Sequence, residues 1–426
     1  MPALNPKTLD DCFKYDRDRL SHTGALDKIT RLTKPIVGEQ VLPLTQVHGR
    51  YAARNILASR LVPAFDNAAV DGYALAHEDF LGRTDANFHI AARIAAGDAS
   101  QYQLQPNEVA RIFTGARVPG RANTIIMQED AEVLLDDKVR LPGTIHPGSN
   151  VRKAGEDLYL GDIIAKKGQR LRPQDVAALA SNGFSEVQVH QKLRVGLISS
   201  GDEILRPGSA IDTGKIFDAN SSLLRALAAP LAVDVHDLGI ASDRREDVED
   251  RLEQATRSCD LVITSGGASR GEEDYFVHVL AQSGTLHAWQ IAVKPGRPLG
   301  FGTYNTTRIL MLPGNPVAVM VCFMLYAMPL ITRLGGGTYH EPTRYPVRAD
   351  FEIKAKKQNR REFLRGTLNR REDGLWVNKY PRDGSGLISS LREANGLIEL
   401  QEHITDVQNG DQVDFIPFSE FGILTK

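Results

Sequence analysis

The sequence predicts a multidomain protein of the α/β plus β class, and three observations support this prediction. A chain of 426 residues is long enough for two to four domains, each with its own hydrophobic core. Between Leu193 and Leu334, apolar runs of strand length alternate with segments of helix length, which is typical of βαβ units and a mostly parallel sheet. On both sides of this region, at 88–145 and 345–418, short alternating β runs are separated by Gly and Pro.

The first 192 residues predict a helical domain that is interrupted by a β domain. Helices are expected at 8–32, Arg50–Ser59 and Arg170–Asn182, and a strand is expected at Gln40–Leu44. Because the β runs at 88–145 lie between these helical segments, we expect an all-β domain inserted into a helical linker domain. The predicted boundaries are 1–58 and 156–192 for the linker domain and 59–155 for the insertion.

Residues 193–337 are predicted to form the central βαβ domain. Its predicted strands are RVGLISS, VDVHDLG, DLVITSGG, LHAWQIAV and ILMLPGN. Its predicted helices are Ser221–Ala229 with Asn220 as the N-cap, Arg244–Arg257, Tyr275–Gln282 and Val317–Leu334. The glycine run Gly335–Gly337 ends this domain. The β runs that follow predict a small C-terminal β-barrel within a domain that spans 338–426.

The composition excludes several classes of function. Lys and Arg number 51 against 53 Asp and Glu, so the chain lacks the basic field of a dedicated nucleic-acid binder. The basic run at 344–371 is expected to be a solvated face of the barrel. Pro316–Met328 is apolar over only 13 residues, whereas a membrane span needs about 20, so we expect a buried core helix and no membrane partner. No apolar signal segment begins the sequence and its three cysteines are isolated, so a cytoplasmic location is expected.

Four loops that follow predicted strands indicate a ligand site. The carboxyl ends of parallel strands meet at one edge of a sheet, where ligands bind. Small residues let backbone N–H groups approach an anion, and Lys294 and Arg297, held between prolines, add positive charge. We therefore expect a phosphate-bearing ligand, and the lack of GxGxxG and GxxxxGK[ST] motifs disfavours NAD enzymes and P-loop NTPases. The loops are Ser200–Glu203, Gly266–Asp274, Lys294–Pro298 and Pro313–Pro316.

Several carboxylates are candidates for holding Mg²⁺, which prefers carboxylate and phosphate oxygens. A structural role stays open for two of them. Asp243 with Glu246 matches a capping box for a helix that starts at Arg244, and Asp274 precedes a predicted helix whose dipole its charge would stabilise. The candidates are Asp157, Asp202, Glu203, Asp218, Asp243 and Asp274.

Seven motifs occur in this order: PAFDNAAVDGYAL (63–75), RIFTGARVP (111–119), RKAGEDLYLGD (152–162), SSGDEI (199–204), TSGGASRGEEDY (264–275), VKPGRPLGFG (293–302) and LPGNPV (312–317). Their order and intervals resemble the molybdopterin molybdenumtransferase family, of the MoeA and gephyrin E-domain type. REFLRG and SGLISSLREANGLIEL, near the C-terminus, extend the resemblance over nearly the whole chain.

The resemblance implies the last step of molybdenum cofactor assembly. Molybdate is inserted into adenylylated molybdopterin, and AMP is released with the help of Mg²⁺. The resemblance also implies a molybdopterin-binding-like central domain and a homodimer whose active sites are shared between subunits. The implied partners are the molybdopterin adenylyltransferase that makes the substrate, and molybdoenzymes or their chaperones as acceptors. A non-catalytic carrier or scaffold of the same fold is the alternative.

The residues and the resemblance together give the candidate site. The implied catalytic residues are Asp71, Thr114, Asp157, Glu203, Asp243 and Asp274, and the last three are also the implied metal ligands. The cofactor-binding candidates are Gly266, Gly267, Ser269, Lys294, Arg297, Pro313, Asn315, Arg365 and Ser390. Ala68, Arg270 and Arg297 depart from the commoner family pattern. Arg297 stands where a Lys is usual, which exchanges a point charge for a planar donor with two prongs.

Overall fold

The computed structural model describes residues 19–80, 85–99, 101–142, 145–268 and 275–425. Its α-helices are His22–Leu32, Pro173–Ser181, Ala219–Ala228, Arg245–Ser258, Tyr275–Ser283, Pro316–Cys322, Met328–Leu334 and Ile388–Glu393. The first part of the helix predicted at 8–32 lies outside the described residues, and the helix is observed from His22 onward.

A six-stranded sheet forms the centre of this described chain. Its strand order is Val233–Ala241, Leu193–Ser200, Leu261–Ser265, Thr307–Leu312, Gly300–Tyr304 and Thr285–Trp289. The first four strands are parallel and the last two are antiparallel, so the predicted mostly parallel sheet is confirmed. Apolar clusters cover both faces, because helices pack on each side of the sheet. The parallel strands end side by side at one edge.

The apolar segment after Asn315 forms one buried helical rod. Pro316–Cys322 and Met328–Leu334 are α-helical, and Phe323–Ala327 between them is a π-helical turn. Among the described residues, this is the one helix long and apolar enough to cross a membrane, yet 89% of its most apolar window is buried inside the protein. The prediction of a core helix is therefore confirmed. Pro329 has no N–H to donate, and the π-helical turn that precedes it keeps the rod continuous.

An all-β region lies in the N-terminal half, as predicted. In the part of it that the structure describes, the strand order is Thr124–Met127, Gly72–Leu75, Glu108–Ile112, Asp85–Ile94, Lys138–Pro142 and Glu132–Val133. Phe88 and Leu141 belong to an apolar cluster on one face of this sheet, and Ile112 and Ile125 belong to a second cluster. A separate pair of short strands, Asn67–Ala68 and Val151–Arg152, closes the region near its base.

The chain segments on either side of the all-β region pair with each other. Glu39–Pro43 is antiparallel to Glu186–His190, and Ile56–Leu57 is antiparallel to Ile163–Ala165. The β region is thus an insertion between two segments that lie together. The exact boundaries of the four domains stay a prediction.

The helix predicted at Arg50–Ser59 is wrong. The backbone of Ala52 donates to Gln169 (3.0 Å), and Leu171 donates to Arg50 (2.9 Å), so this stretch is extended and continues into the strand Ile56–Leu57. Apolar residues in so short a window match a strand as well as a helix, and pairing with a distant segment decides between them.

The C-terminal region is a closed five-stranded β-barrel, which confirms the prediction. Its strands are Tyr345–Ala349, Arg361–Arg371, Gly374–Lys379, Gly396–Leu400 and Gln412–Pro417. Each strand pairs with two others, so the ring has no free edge. Val293–Lys294 pairs in parallel with the start of the second strand and joins the barrel to the central domain. The basic run at 344–371 is not simply a solvated face, because Lys356 and Arg365 are buried.

Candidate functional site

A cleft of about 650 Å³ opens where the four parallel strands end. Loops that follow these strands line it, as the topology of a parallel sheet predicts. Seven of the candidate residues line this one cleft; one of them is Asp218, a candidate carboxylate for holding Mg²⁺, and six are candidate site residues. The six site residues are Glu203, Asp243, Gly266, Gly267, Pro313 and Asn315.

Gly266 and Gly267 form a tight turn at the base of the cleft. Both have positive φ, at 92° and 72°. A Cβ atom on Gly266 would lie 2.9 Å from the carbonyl oxygen of Ser200, and a Cβ atom on Gly267 would lie 2.6 Å from the ring of Phe276. Only glycine meets both conditions, so the turn presents bare backbone to the cleft. Ser269, the next candidate on this loop, lies outside the described residues, as does Arg270.

Asn220 ties two of the cleft loops together. Its side-chain amide donates to Ser265 Oγ (2.7 Å) and to the carbonyl oxygen of Gly314 (2.6 Å). The prediction of Asn220 as a helix N-cap is wrong, because the cap of helix Ala219–Ala228 is Asp218, whose Oδ1 accepts from the Ser221 N–H (2.9 Å). Sequence reasoning missed this role of Asn220. Its position in the first turn of the helix that follows the strand Leu193–Ser200 was the available signal.

Glu203 and Asp243 bring two carboxylates to the same cleft. The Asp202 N–H donates to Asp243 Oδ2 (3.0 Å), and the Asp243 N–H donates to Asp202 Oδ1 (3.1 Å). This reciprocal pair fixes the two carboxylate loops against each other. The capping box of Asp243 and Glu246 is not formed, because the helix starts at Arg245 and its cap makes no side-chain hydrogen bond.

The carboxylates of Glu203 and Asp243 are oxygen ligands of the type that Mg²⁺ prefers, but the described residues supply only part of a magnesium site. No group of three acidic, histidine or cysteine side chains converges on a metal position within the described ranges. Asp274, the third predicted metal ligand, lies outside those ranges. Asp218 also lines the cleft, but its two carboxylate oxygens accept hydrogen bonds from Ser199 and Ser221. Glu203 and Asp243 are thus the described residues left to hold the ion.

A second cavity, of about 270 Å³, adjoins the cleft. The two share Pro298, Pro313 and Asn315 as lining residues, so one groove connects them. The second cavity is basic. Its charged lining residues are Arg19, Lys294, Arg297, Lys357, Arg360, Arg365 and Asp383.

Lys294 and Arg297 have different surroundings in this basic cavity. The Lys294 Nζ lies 3.6 Å from Glu362 Oε2, and the Glu362 side chain is only 6% exposed. Glu362 also accepts from Arg360 (2.5 Å). Arg297 is exposed and has no side-chain hydrogen bond or ion pair with any described residue. Sequence reasoning missed Glu362, since nothing in its local pattern indicates that the barrel strand reaches the Lys294 loop.

Arg365 and Ser390 are brought together, although 25 residues separate them. Arg365 Nε donates to Ser390 Oγ (3.1 Å), and a terminal nitrogen donates to the carbonyl oxygen of Arg382 (3.1 Å). Ser390 Oγ in turn donates to the Leu387 carbonyl oxygen (2.6 Å). Burial lowers the pKa of Arg365 below its usual range. Arg365 lines the basic cavity, whereas Ser390 is fully buried and holds Arg365 in place.

Asp71 and Thr114 form a pair on the inserted β region. The backbone N–H and the hydroxyl of Thr114 both donate to Asp71 Oδ1, each at 2.7 Å. These two hydrogen bonds hold the pKa of Asp71 below its usual range. Within one chain, neither residue lines the cleft or the basic cavity. Asp157 is also exposed and away from both, and its backbone N–H donates to the Val62 carbonyl oxygen (3.0 Å).

Comparisons with known families cover most of the chain. The family described as "MoeA N-terminal region (domain I and II)" matches residues 20–183. The "probable molybdopterin binding domain" matches 196–333, and the "MoeA C-terminal region (domain IV)" matches 347–418. These three matches follow the order of the structural regions described above.

Individual proteins give the same result. The chain is 34% identical over 382 residues to a molybdopterin molybdenumtransferase of Haemophilus influenzae, covering 89% of this chain and 94% of that protein. It is 31% identical to molybdopterin molybdenumtransferase 2 of Mycobacterium tuberculosis, covering 92% and 97%. The crystal structure of the molybdopterin biosynthesis MoeA protein of Pyrococcus horikoshii OT3 superposes with a TM-score of 0.80 at 27% identity, covering 94% and 100%. The chain therefore belongs to the molybdopterin molybdenumtransferase family of transferases.

Proposed function

We propose that this protein inserts molybdate into adenylylated molybdopterin and releases AMP in a Mg²⁺-dependent step, which completes the molybdenum cofactor. The observation that carries the proposal is the single groove formed by the cleft and the basic cavity, joined at Pro298, Pro313 and Asn315. Such a groove offers a site for a phosphate-bearing organic molecule beside a site for an oxyanion.

The cleft is the end that suits the nucleotide part of the substrate. Gly266 and Gly267 present backbone to a phosphate without side chains in the way. Glu203 and Asp243, with Asp274 as the predicted third ligand, would hold Mg²⁺. The bound ion would neutralise negative charge on the phosphate oxygens as AMP leaves.

The basic cavity is the end that suits molybdate. Lys294 and Arg297 supply positive charge from one loop, and Arg365 supplies a third cation from the barrel. Ser390 keeps the Arg365 guanidinium oriented through its Oγ, so the planar donor is positioned before the anion arrives. Arg–oxyanion contacts of this kind combine charge with direction.

A second copy of the chain would complete the site. Asp71, Thr114 and Asp157 are away from the groove of their own chain, so we propose that a homodimer brings them to the groove of the partner. An exposed apolar patch supports this dimer. Leu57 and Ile163 are cross-strand neighbours, and Tyr159 and Leu160 lie in the adjoining turn. The four side chains are Leu57, Tyr159, Leu160 and Ile163, exposed by 48% to 70%.

We further propose that the protein acts in the cytoplasm, between the synthesis of its substrate and the delivery of its product. A molybdopterin adenylyltransferase would supply its substrate, and a molybdoenzyme or its chaperone would accept the product. The proposed reaction involves neither a nucleic acid nor a membrane.

Release of AMP tests the proposed function directly. Purified protein is incubated with adenylylated molybdopterin, molybdate and Mg²⁺, and AMP is quantified by chromatography. We expect release by the wild type and at least tenfold slower release by Asp243→Asn at limiting Mg²⁺, because the amide keeps the shape but loses the charge. Asp250→Asn, at an exposed position of helix Arg245–Ser258, is the matched control. Binding of the substrate without any AMP release would favour the carrier over the enzyme.

A further inference from the structure

Two arginines occupy facing positions on the inserted sheet. Arg93 and Arg111 are cross-strand partners in the parallel pair formed by Asp85–Ile94 and Glu108–Ile112. Tyr73 is the partner of Arg111 on its other side. Paired residues project from the same face of a sheet, and like charges directly opposite each other are destabilising. The sheet therefore places two positive charges side by side, where they repel each other.

Aromatic rings fix the orientation of both guanidinium groups. The Arg93 guanidinium carbon lies 4.5 Å from the ring centroid of Phe113. The Arg111 guanidinium carbon lies 4.8 Å from the same centroid and 5.2 Å from that of Tyr73. A stacked guanidinium directs its N–H donors outward from the ring edge, and it loses little further conformational freedom when an anion binds.

The two arginines differ in what neutralises them. Arg111 donates to the Gly72 carbonyl oxygen (3.0 Å) and to Gln128 Oε1, and the carboxylates of Asp71 and Glu129 lie near it. Arg93 is exposed, and within the described ranges its guanidinium makes no hydrogen bond or ion pair. Arg93 thus has its N–H donors available beside a group already held in place.

This pair adjoins the Asp71–Thr114 pair. Phe113, which stacks against both guanidinium groups, directly precedes Thr114 in the chain. Thr114 is exposed and holds Asp71 through two hydrogen bonds. An anion bound at Arg93 and Arg111 would therefore lie next to the carboxylate that the family resemblance places among the catalytic residues.

We propose that Arg93 and Arg111, stacked on Phe113 and Tyr73, form a binding site for a tetrahedral oxyanion on the inserted domain. The inference rests on the proposed function, in which this domain reaches the groove of the partner subunit. The oxyanion is a phosphoryl group of the adenylylated substrate or molybdate itself, since both present oxygens to a planar donor with two prongs. A bound dianion would also relieve the repulsion between the two arginines.

A local fluorescence reporter tests the site without an activity assay. The full-length protein carrying Phe113→Trp has an indole at the site, and its emission is followed during titration with inorganic pyrophosphate or with molybdate at constant ionic strength. We expect a saturable change with at least one of the two anions. Adding Arg93→Gln should raise the midpoint at least fivefold. Arg140→Gln, on the same sheet but paired with Glu132 (2.5 Å), should leave the midpoint unchanged.

Thermal unfolding of the otherwise wild-type protein gives a second, independent measurement. Arg93→Gln should raise the Tm in anion-free buffer, because the cross-strand repulsion is gone, and should reduce the stabilisation that pyrophosphate or molybdate provides. Arg93→Lys, which keeps the charge but loses the stacked planar donor, should bind more weakly than the wild type and more tightly than Arg93→Gln.

The outcomes separate this inference from the proposed function. A response to pyrophosphate alone identifies a phosphoryl group, and a response to molybdate identifies the inorganic substrate. Equal midpoints for the reporter with and without Arg93→Gln, together with equal stabilisation by anions, would overturn the inference. If Arg93→Gln loses anion binding and the wild type releases no AMP, the anion site is upheld and the proposed function is rejected.

Discussion

At the residue scale, Arg297 offers the clearest test of the basic cavity, because nothing in the described structure competes for its guanidinium. We expect Arg297→Ala to weaken molybdate binding on the order of ten- to a hundredfold, the range for losing a hydrogen bond to a charged group. Arg297→Lys should retain most of the affinity, since the ammonium keeps the charge and loses only the fixed geometry. Isothermal titration with molybdate measures both.

The control for Arg297 is Lys354→Ala, at a basic residue of the barrel that is 87% exposed and lies outside the cavity. Unchanged molybdate affinity in Arg297→Ala would leave Lys294 and Arg365 as the cations of this cavity. Lys294 is a poorer first choice for such a test. Its removal would also leave the buried carboxylate of Glu362 with one partner fewer, so binding and stability would change together.

At the element scale, the glycine turn at the base of the cleft makes a sharp prediction. Gly267→Ala should destabilise the fold by more than the approximately 1–3 kcal/mol cost of a left-handed alanine, because its Cβ would also lie 2.6 Å from the Phe276 ring. Gly97→Ala is the matched control, since φ is 85° there and no atom lies within 4 Å of the added Cβ. Urea unfolding compares the two, and equal destabilisation would show that Phe276 moves aside freely.

The helices and strands also show which parts of the fold can be predicted from the sequence. The buried parallel strands and the core helix were predictable because each is a long apolar run with one plausible environment. The strand predicted at 286–293 is instead two strands, Thr285–Trp289 and Val293–Lys294, separated at Gln290, where φ is 65°. The second of these pairs with the barrel, and no local pattern specifies a partner 68 residues further along the chain.

In the candidate site, too, some residues are predictable from the local sequence, whereas others depend on contacts between distant segments. Glycine and proline after a strand are visible in the local sequence, so the sequence alone predicts that Gly266, Gly267, Pro313 and Asn315 share one site, and all four line the cleft. Contacts such as Asn220 with Gly314, or Arg365 with Ser390, depend on the packing of separate segments. The family resemblance named Arg365 and Ser390 as candidates without predicting their contact, and the tie made by Asn220 was not predicted either.

At the scale of the whole molecule, His22 joins three regions. It lies on helix His22–Leu32, its Nδ1 and the Tyr326 hydroxyl form a hydrogen bond (2.9 Å), and its ring packs edge-on against Phe363 of the barrel. Burial, with the nearby positive charges of Arg361 and Arg344, lowers the pKa of His22 from 6.5 to about 3.

This buried imidazole predicts a pH dependence of stability. Below pH 6.5 the unfolded chain binds a proton at His22 that the folded chain refuses until about pH 3, so the free energy of unfolding falls as the pH drops through this window. The contribution of one such group approaches about 1.4 kcal/mol per pH unit. His22→Gln should therefore flatten the profile between pH 6 and 4 in denaturant unfolding. The exposed His403→Gln is the control, and equal slopes in His22→Gln and wild type would contradict the prediction.

The proposed dimer makes a prediction about assembly. Sedimentation should give twice the chain mass of 46.8 kDa for the wild type. Leu160→Asp places a charge in the exposed apolar patch and should shift the protein to the monomer, with loss of AMP release, because the site is no longer shared. Ile211→Asp, at another apolar residue that is 60% exposed, should remain dimeric and active. An active monomer in either protein would reject the shared site.

The paired segments at the base of the inserted region have a mechanical consequence. The segments that enter and leave the inserted region run side by side. Val62 and Leu158 exchange backbone hydrogen bonds of 2.9 and 3.1 Å, and the Gly155 N–H donates to the Pro63 carbonyl oxygen (2.9 Å). A domain attached by one strand can rotate about that strand, whereas two hydrogen-bonded strands resist this rotation. Two bonded connections thus restrain the orientation of the insertion, which carries Asp71 and Arg93, more than a single strand would.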